Sequence, residues 1–152
     1  MKKLFLTFIL TTASITLYGQ TFILKGLQSA NGNKHFTVEE FIKRSKSAQD
    51  VANVQKLKNY TVKLEDTDNG LRIASTNTEE GPLEIGMFFE QDSQNDDRFV
   101  YKDDDGDIQY VIKLNTTFGY YRGFTLDFYK EEYFWWFDKD MKKAGSFFFE
   151  RK

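Results

Sequence analysis

From Tyr60 onward the apolar residues of this chain fall on alternate positions, and that period leaves little room for anything except antiparallel sheet. Tyr60, Val62 and Leu64 alternate with Thr61, Lys63 and Glu65; after Asp66-Thr67-Asp68-Asn69-Gly70, Leu71 and Ile73 alternate with Arg72 and Ala74. A period of two puts all of one class on one face of a strand. Asn-Gly between two such runs is a strong hairpin signal, because both residues tolerate positive φ. The pattern recurs at Leu83, Ile85, Met87 and Phe89, beyond the only proline, Pro82, and at Phe99 and Tyr101, beyond the loop QDSQNDD. Asp105-Gly106 predicts a second hairpin turn into Ile108, Tyr110, Ile112 and Leu114. Three further strands are expected at Tyr120 to Lys130, Tyr133 to Asp138 and Ser146 to Arg151, with DKDMKKAG connecting the last two. Connections this short imply neighbouring antiparallel strands, since parallel ones need crossovers.

Upstream of Tyr60 the period differs. Thr21 to Leu27 is a candidate first strand, and SANGNKH is a loop. Thr37-Val38-Glu39-Glu40 fits a capping box, in which the Thr37 hydroxyl and the Glu40 carboxylate each serve a free backbone N–H. Phe41, Ile42, Ala48, Val51, Ala52 and Val54 follow helical spacing, with Lys43, Arg44 and Lys46 off that stripe. The spacing predicts an amphipathic helix from Val38 to Lys56, with a break near Asp50 left open because Asp50 is itself a good N-cap. From Phe41 through Ile73 the helix-then-hairpin order resembles that of the PepSY-like periplasmic domains. The expected architecture is α+β and β-dominated: an N-terminal amphipathic helix followed by an antiparallel meander of about eight strands, as a curled sheet or a small barrel.

Residues 1–19 have the layout of a secretory signal. Lys2 and Lys3 precede the apolar run LFLTFIL, and small and polar residues lead to Gly19. That run is too short to span a bilayer. Cleavage after Gly19 would leave a single domain, 20–152, exported to a periplasm or the exterior as a soluble protein, with no membrane span.

Several chemistries are excluded by what the chain lacks. There is no cysteine, hence no disulfide framework, thiolate metal site or cysteine nucleophile. The single histidine, His35, sits in the polar loop before the helix cap, and no nucleophile elbow accompanies it. No glycine-rich turn opens a helix after a strand, so a phosphate cradle is not expected. The net charge of −2 becomes more negative once Lys2 and Lys3 are removed, which disfavours nucleic acid. The acidic stretch from Glu90 to Asp107 invites calcium, but an EF-hand aligned on Gly106 would begin at Tyr101 and end at Ile112, neither of which supplies a carboxylate. A looser site on Asp103, Asp105 and Asp107 competes with solvated hairpin turns. Glu131 and Glu132, a conceivable glycosidase pair, are consecutive and should point to opposite sides of a strand. No cofactor is expected, and the chain reads as non-catalytic.

The distinctive feature is aromatic surface at the C-terminal end. Tyr120, Phe124, Leu126 and Phe128 share one strand face while Tyr121 and Tyr129 lie on the other; YFWWFD and SFFFER also carry aromatics on both faces. Either both faces are buried, or Tyr121, Tyr129, Phe134, Trp136 and Phe148 form an exposed platform of the kind that marks partner or ligand sites. In the second case the chain is a binding domain for an envelope or extracellular protein, with Trp136 as the anchor. The alternative is a small barrel-like carrier of an apolar ligand lined by Tyr120, Phe124, Trp135 and Phe147.

Overall fold

The computed structural model describes residues 20–117, 120–134 and 138–152. The leader expected over 1–19 lies outside the described residues, and no described helix is long and apolar enough to cross a membrane.

Among the described residues nine strands and two short helices follow in the order β1 (Gln20–Ser29), β2 (Phe36–Thr37), α1 (Val38–Arg44), α2 (Ala48–Lys56), β3 (Thr61–Thr67), β4 (Gly70–Thr76), β5 (Phe88–Asp92), β6 (Asn95–Lys102), β7 (Ile108–Thr117), β8 (Tyr120–Phe134) and β9 (Asp138–Arg151). Every pairing is antiparallel. From β3 to β9 each strand lies beside the next, and β1 pairs with both β3 and β9, which closes the sheet into an eight-stranded barrel with β2 appended to β1. Of the two expected shapes, the barrel forms. Closure rests on the register Phe22↔Arg151 through Ser29↔Gly145, so the first and last described strands meet.

Alternation decides what the barrel encloses. Phe22, Leu24, Val62, Leu64, Leu71, Ile73, Phe89, Phe99, Ile112, Leu114, Phe124, Leu126 and Phe149 form one buried cluster. The intervening Lys25, Lys63, Arg72, Glu90, Lys113 and Glu150 are exposed. Apolar inside and polar outside is the reverse of a lipid-facing barrel. The centre is aromatic: Phe124 stacks on Phe149 at 4.4 Å between centroids, and Phe22 meets Phe124 edge-on at 5.2 Å.

The single helix expected over Val38–Lys56 is two helices. The capping box at the start of α1 forms as read, with Thr37 N donating to Glu40 Oε2 at 3.0 Å and Glu40 N to Thr37 Oγ1 at 3.1 Å. Ser45 then turns to extended backbone, and Ser47 rather than Asp50 caps α2, its hydroxyl accepting from Asp50 N at 3.2 Å. Serines are good caps and poor helix interiors, so Ser45-Lys46-Ser47 breaks the run earlier than Asp50 would. Val38 is buried, and Ile42, Val54 and Leu57 pack against the core.

Three strand boundaries move. Leu83–Met87 is a loop, because Gly86 takes φ 92° and breaks the alternation; Ile85 is left 63% exposed. The expected loop QDSQNDD is a tight turn at Ser93-Gln94, held by Gln94 N donating to Asp92 Oδ1 at 2.9 Å. Asp138–Gly145, read as a connection, is strand, and Tyr133 and Phe134 continue β8. A two-stranded ribbon wetted on both faces needs no apolar alternation, so its sequence carries no strand signature.

Candidate functional site

One end of the barrel holds the connections that do more than turn. The chain crosses it through the helix pair between β1 and β3, through 77–87 between β4 and β5, through 103–107 between β6 and β7, and through the far part of the β8–β9 hairpin. Among the described residues the opposite end has only the tight turns at 68–69 and 93–94, with residues 20 and 152.

The β8–β9 hairpin is longer than the barrel needs. β7 stops pairing with β8 at Phe128, and β1 stops pairing with β9 at Gly145, one last bond running from Ala30 N to the Ala144 carbonyl at 3.2 Å. Beyond a bulge at Phe128/Tyr129 the two strands continue alone, from Tyr129↔Lys143 to Phe134↔Asp138. A two-stranded ribbon therefore leaves the barrel, and in the sequence Trp135-Trp136-Phe137 stands between its strands.

At the root of the ribbon, Asp127 faces outward yet is only 1% exposed. Lys113 Nζ donates to its Oδ2 at 2.7 Å, while Lys143 Nζ at 2.8 Å and the Ser146 hydroxyl at 2.7 Å serve Oδ1. Burial by itself raises this carboxyl, but the hydrogen bonds from Lys113, Lys143 and Ser146 outweigh it and hold it below its ordinary value. β7, β8 and β9 are pinned together where the ribbon begins.

Inside the same end runs an arc of inward aromatics. Phe89 lies 5.7 Å from Tyr101, Tyr101 lies 6.1 Å from Tyr110, Tyr110 is register partner of Phe128, and Phe128 stacks on Phe147 at 5.2 Å. Phe89 is buried, and the other four are half-buried. Deeper in the barrel Leu64, Leu71 and Leu126 are fully buried. Burial, with the nearby Glu84 and Tyr101 adding to it, pushes the Tyr110 phenol up.

The residues proposed as one platform are dispersed. Tyr121 packs inward at the far end of β8, against the core. Tyr129 is half-buried at the ribbon root, eight positions away along β8 (about 25 Å at strand rise). Phe148 points outward beside Gly26 and is met edge-on by the His35 ring at 4.4 Å. Phe134 ends β8, its side chain outside the described set, and Trp136 lies outside the described residues. Of the alternative lining, Phe124 is deep in the core and Phe147 belongs to the arc, while the Tyr120 side chain and Trp135 are not described.

The acidic turns are internally occupied. Asp103 Oδ1 accepts from Asp105 N at 3.1 Å and Asp107 N at 2.9 Å, and Oδ2 accepts from Gln109 at 2.7 Å. Asp92 pairs with Arg98. Among the described residues no group of three or more ligating side chains is arranged for a metal. Glu131 and Glu132 occupy successive ribbon positions opposite Met141 and Asp140, hence opposite faces, and Glu132 pairs with Lys142.

Sequence reasoning missed the Asp127 cluster and the ribbon. Asp127 alternates with Phe128 and Leu126 as a solvated residue would, and only its cross-strand neighbours Val111 and Ser146 reveal its burial. The ribbon shows in the structure as length, β8 spanning 15 residues and β9 14 against 7 for β3 and β4, and no apolar alternation over 138–145 announces it in the sequence. Comparison with protein-family models, with curated proteins and with solved structures returns no match.

Proposed function

We propose that this chain is an exported, non-catalytic binding domain that engages an envelope or extracellular protein through the ribbon end of its barrel. The observation that carries the reading is the ribbon itself. The barrel closes without residues beyond Phe128 and Gly145. A lone two-stranded ribbon is marginal in water and is stabilised by packing against something more. Its chain runs through Tyr129, Tyr133, Phe134, Trp135, Trp136 and Phe137, residue types enriched in interface hot spots. The clamp on Asp127 supports the same reading, because a contact element held at its root loses less freedom on binding.

The half-buried arc of Tyr101, Tyr110, Phe128 and Phe147 favours a second reading, an apolar ligand held in the mouth of the barrel. Both are tested by native mass spectrometry on protein purified gently from its host's envelope fraction, beside a variant with 130–142 replaced by an Asn-Gly turn, which leaves Lys143 on Asp127. A complex with a second protein that is lost in the variant, at unchanged thermal stability, is the expected result. A small-mass adduct that vanishes on denaturation would transfer the function to the mouth. A bare monomer in both samples would overturn both readings.

A further inference from the structure

The start of the helical segment holds a small cavity that the core does not fill. Its walls are Phe36, Phe41, Arg44 and Ser45, and its volume is about 220 Å³. Phe36 is placed by β2, whose register on β1 sets it opposite Leu27. Phe41 and the C-cap Ser45 stand four positions apart on one side of α1, and Arg44 lies beside them in the last turn. Both phenylalanines are half-buried. Neither belongs to the core cluster or packs against it, although Val38 and Ile42 of the same helix do. Apolar wall left open to water in this way marks ligand sites. The Arg44 Cζ stands 5.1 Å from the centre of the Phe36 ring, so its guanidinium lies over one aromatic face. Arg44 makes no ion pair among the described residues. The acid one turn back, Glu40, accepts from Thr37 N at 3.0 Å instead.

A ring-sized apolar cavity with one unopposed guanidinium at its rim selects a ligand in which a ring and a carboxylate lie a few bonds apart. The ring meets Phe36 and Phe41 edge-to-face or offset. The carboxylate accepts two parallel N–H bonds from the Arg44 fork, which keeps its place on Phe36 because its donors lie in the guanidinium plane. Size limits the rest. A cavity of about 150 Å³ holds benzene, so this one takes one ring with a short acid arm. Its four described walls form no groove that would lead a polypeptide onward, which favours a free acid over a chain terminus. We propose that this cavity binds a small aromatic carboxylic acid. The proposal goes beyond the reading of the ribbon, since no described residue of β8 or β9 lines the cavity.

The test is an amide-shift titration by NMR on the full chain, with phenylpropionate as the probe. Phenylpropionamide keeps the ring without the charge, and propionate keeps the charge without the ring. The expected result is saturable shifts at Phe36, Phe41 and Arg44 with phenylpropionate, and binding at least about tenfold weaker for either comparator. R44Q keeps a good helix former at an exposed position. It is expected to weaken phenylpropionate at least about tenfold and to leave the amide as it was. No saturable shift in wild type would overturn the proposal. So would propionate or the amide binding as tightly as the acid, or R44Q binding the acid as well as wild type. An acetylated peptide ending in phenylalanine that bound more tightly than the free acid would assign the cavity to a chain terminus instead. The variant lacking 130–142 separates this site from the ribbon: unchanged affinity for phenylpropionate is expected, and its loss would place the acid on the ribbon and overturn the cavity. A foreign partner that ignores the removal of 130–142 would end the ribbon reading and leave the cavity untouched.

Discussion

Tyr60 sits where the last turn after α2 enters the barrel wall, fully buried, with its hydroxyl donating to the Leu83 carbonyl at 2.9 Å. Burial pushes the phenol up to about 12, and the hydrogen bond to Leu83 offsets only part of that. Since the folded value lies above the unfolded value near 10, its stabilising contribution is complete below pH 10 and is lost as pH rises towards 12. The full loss is about 2–3 kcal/mol. Tyr60→Phe is expected to cost about 1–2 kcal/mol at neutral pH and to flatten this alkaline decline. Denaturant melts of both proteins at several alkaline values check it, and an equally steep decline in the variant would contradict it. Gly81 belongs to the same site, because a Cβ there would lie 2.1 Å from the Tyr60 ring. None of this is legible from Tyr60 as one more alternating apolar residue. Gly70 makes a similar point: the Asn-Gly hairpin forms where expected, but only Asn59, Gly86 and Gly106 take positive φ among the described residues. Glycine is required at 70 because a Cβ would lie 2.0 Å from the Phe89 carbonyl oxygen of the next strand.

At the scale of elements, the root of the ribbon depends on one carboxylate shared by three strands. Because Asp127 is held below its ordinary 3.8, its stabilising effect is present above that value and is lost as pH falls through the lower folded one. Asp127→Asn keeps the size and removes the charge. A destabilisation of about 1–3 kcal/mol is expected, constant from pH 7 down to about the unfolded carboxylate value and shrinking below it. Hydrogen exchange should show faster opening at Lys142 and Lys143 than in wild type, with the amides of Phe22 and Phe124 unchanged. A variant with uniform loss across the barrel would mean that Asp127 supports the whole fold rather than the ribbon. The elements themselves were readable wherever their signals were local: the capping box of α1, the hairpin at 68–69 and the turn at Gly106. The α1–α2 break and the long strand through Asp138–Gly145 were not, since serines and lysines suit loops, caps and two-sided ribbons alike.

For the whole molecule, the decisive event is the meeting of β1 with β9. The seams from β3 to β9 join consecutive strands and the β1–β3 seam spans the helix pair (Phe22↔Val62), whereas Phe22↔Arg151 joins the first and last described strands. Loop-closure entropy makes such a contact late in folding. Pulse-labelled hydrogen exchange during refolding is expected to protect the β3–β4 amides before those of β1 and β9; simultaneous protection would refute that order. From its sequence alone this protein determined the period of its strands, the places of its tight turns and the apolar set that had to be enclosed, because these depend on residues a few positions apart. Tertiary structure alone decided that the sheet closes, that Tyr121 and Phe148 end up on opposite sides of the wall, that Asp127 is buried and that the last hairpin outruns the barrel. Those outcomes depend on which distant strand lies beside each residue, and no local pattern encodes a neighbour that the chain reaches only by closing on itself.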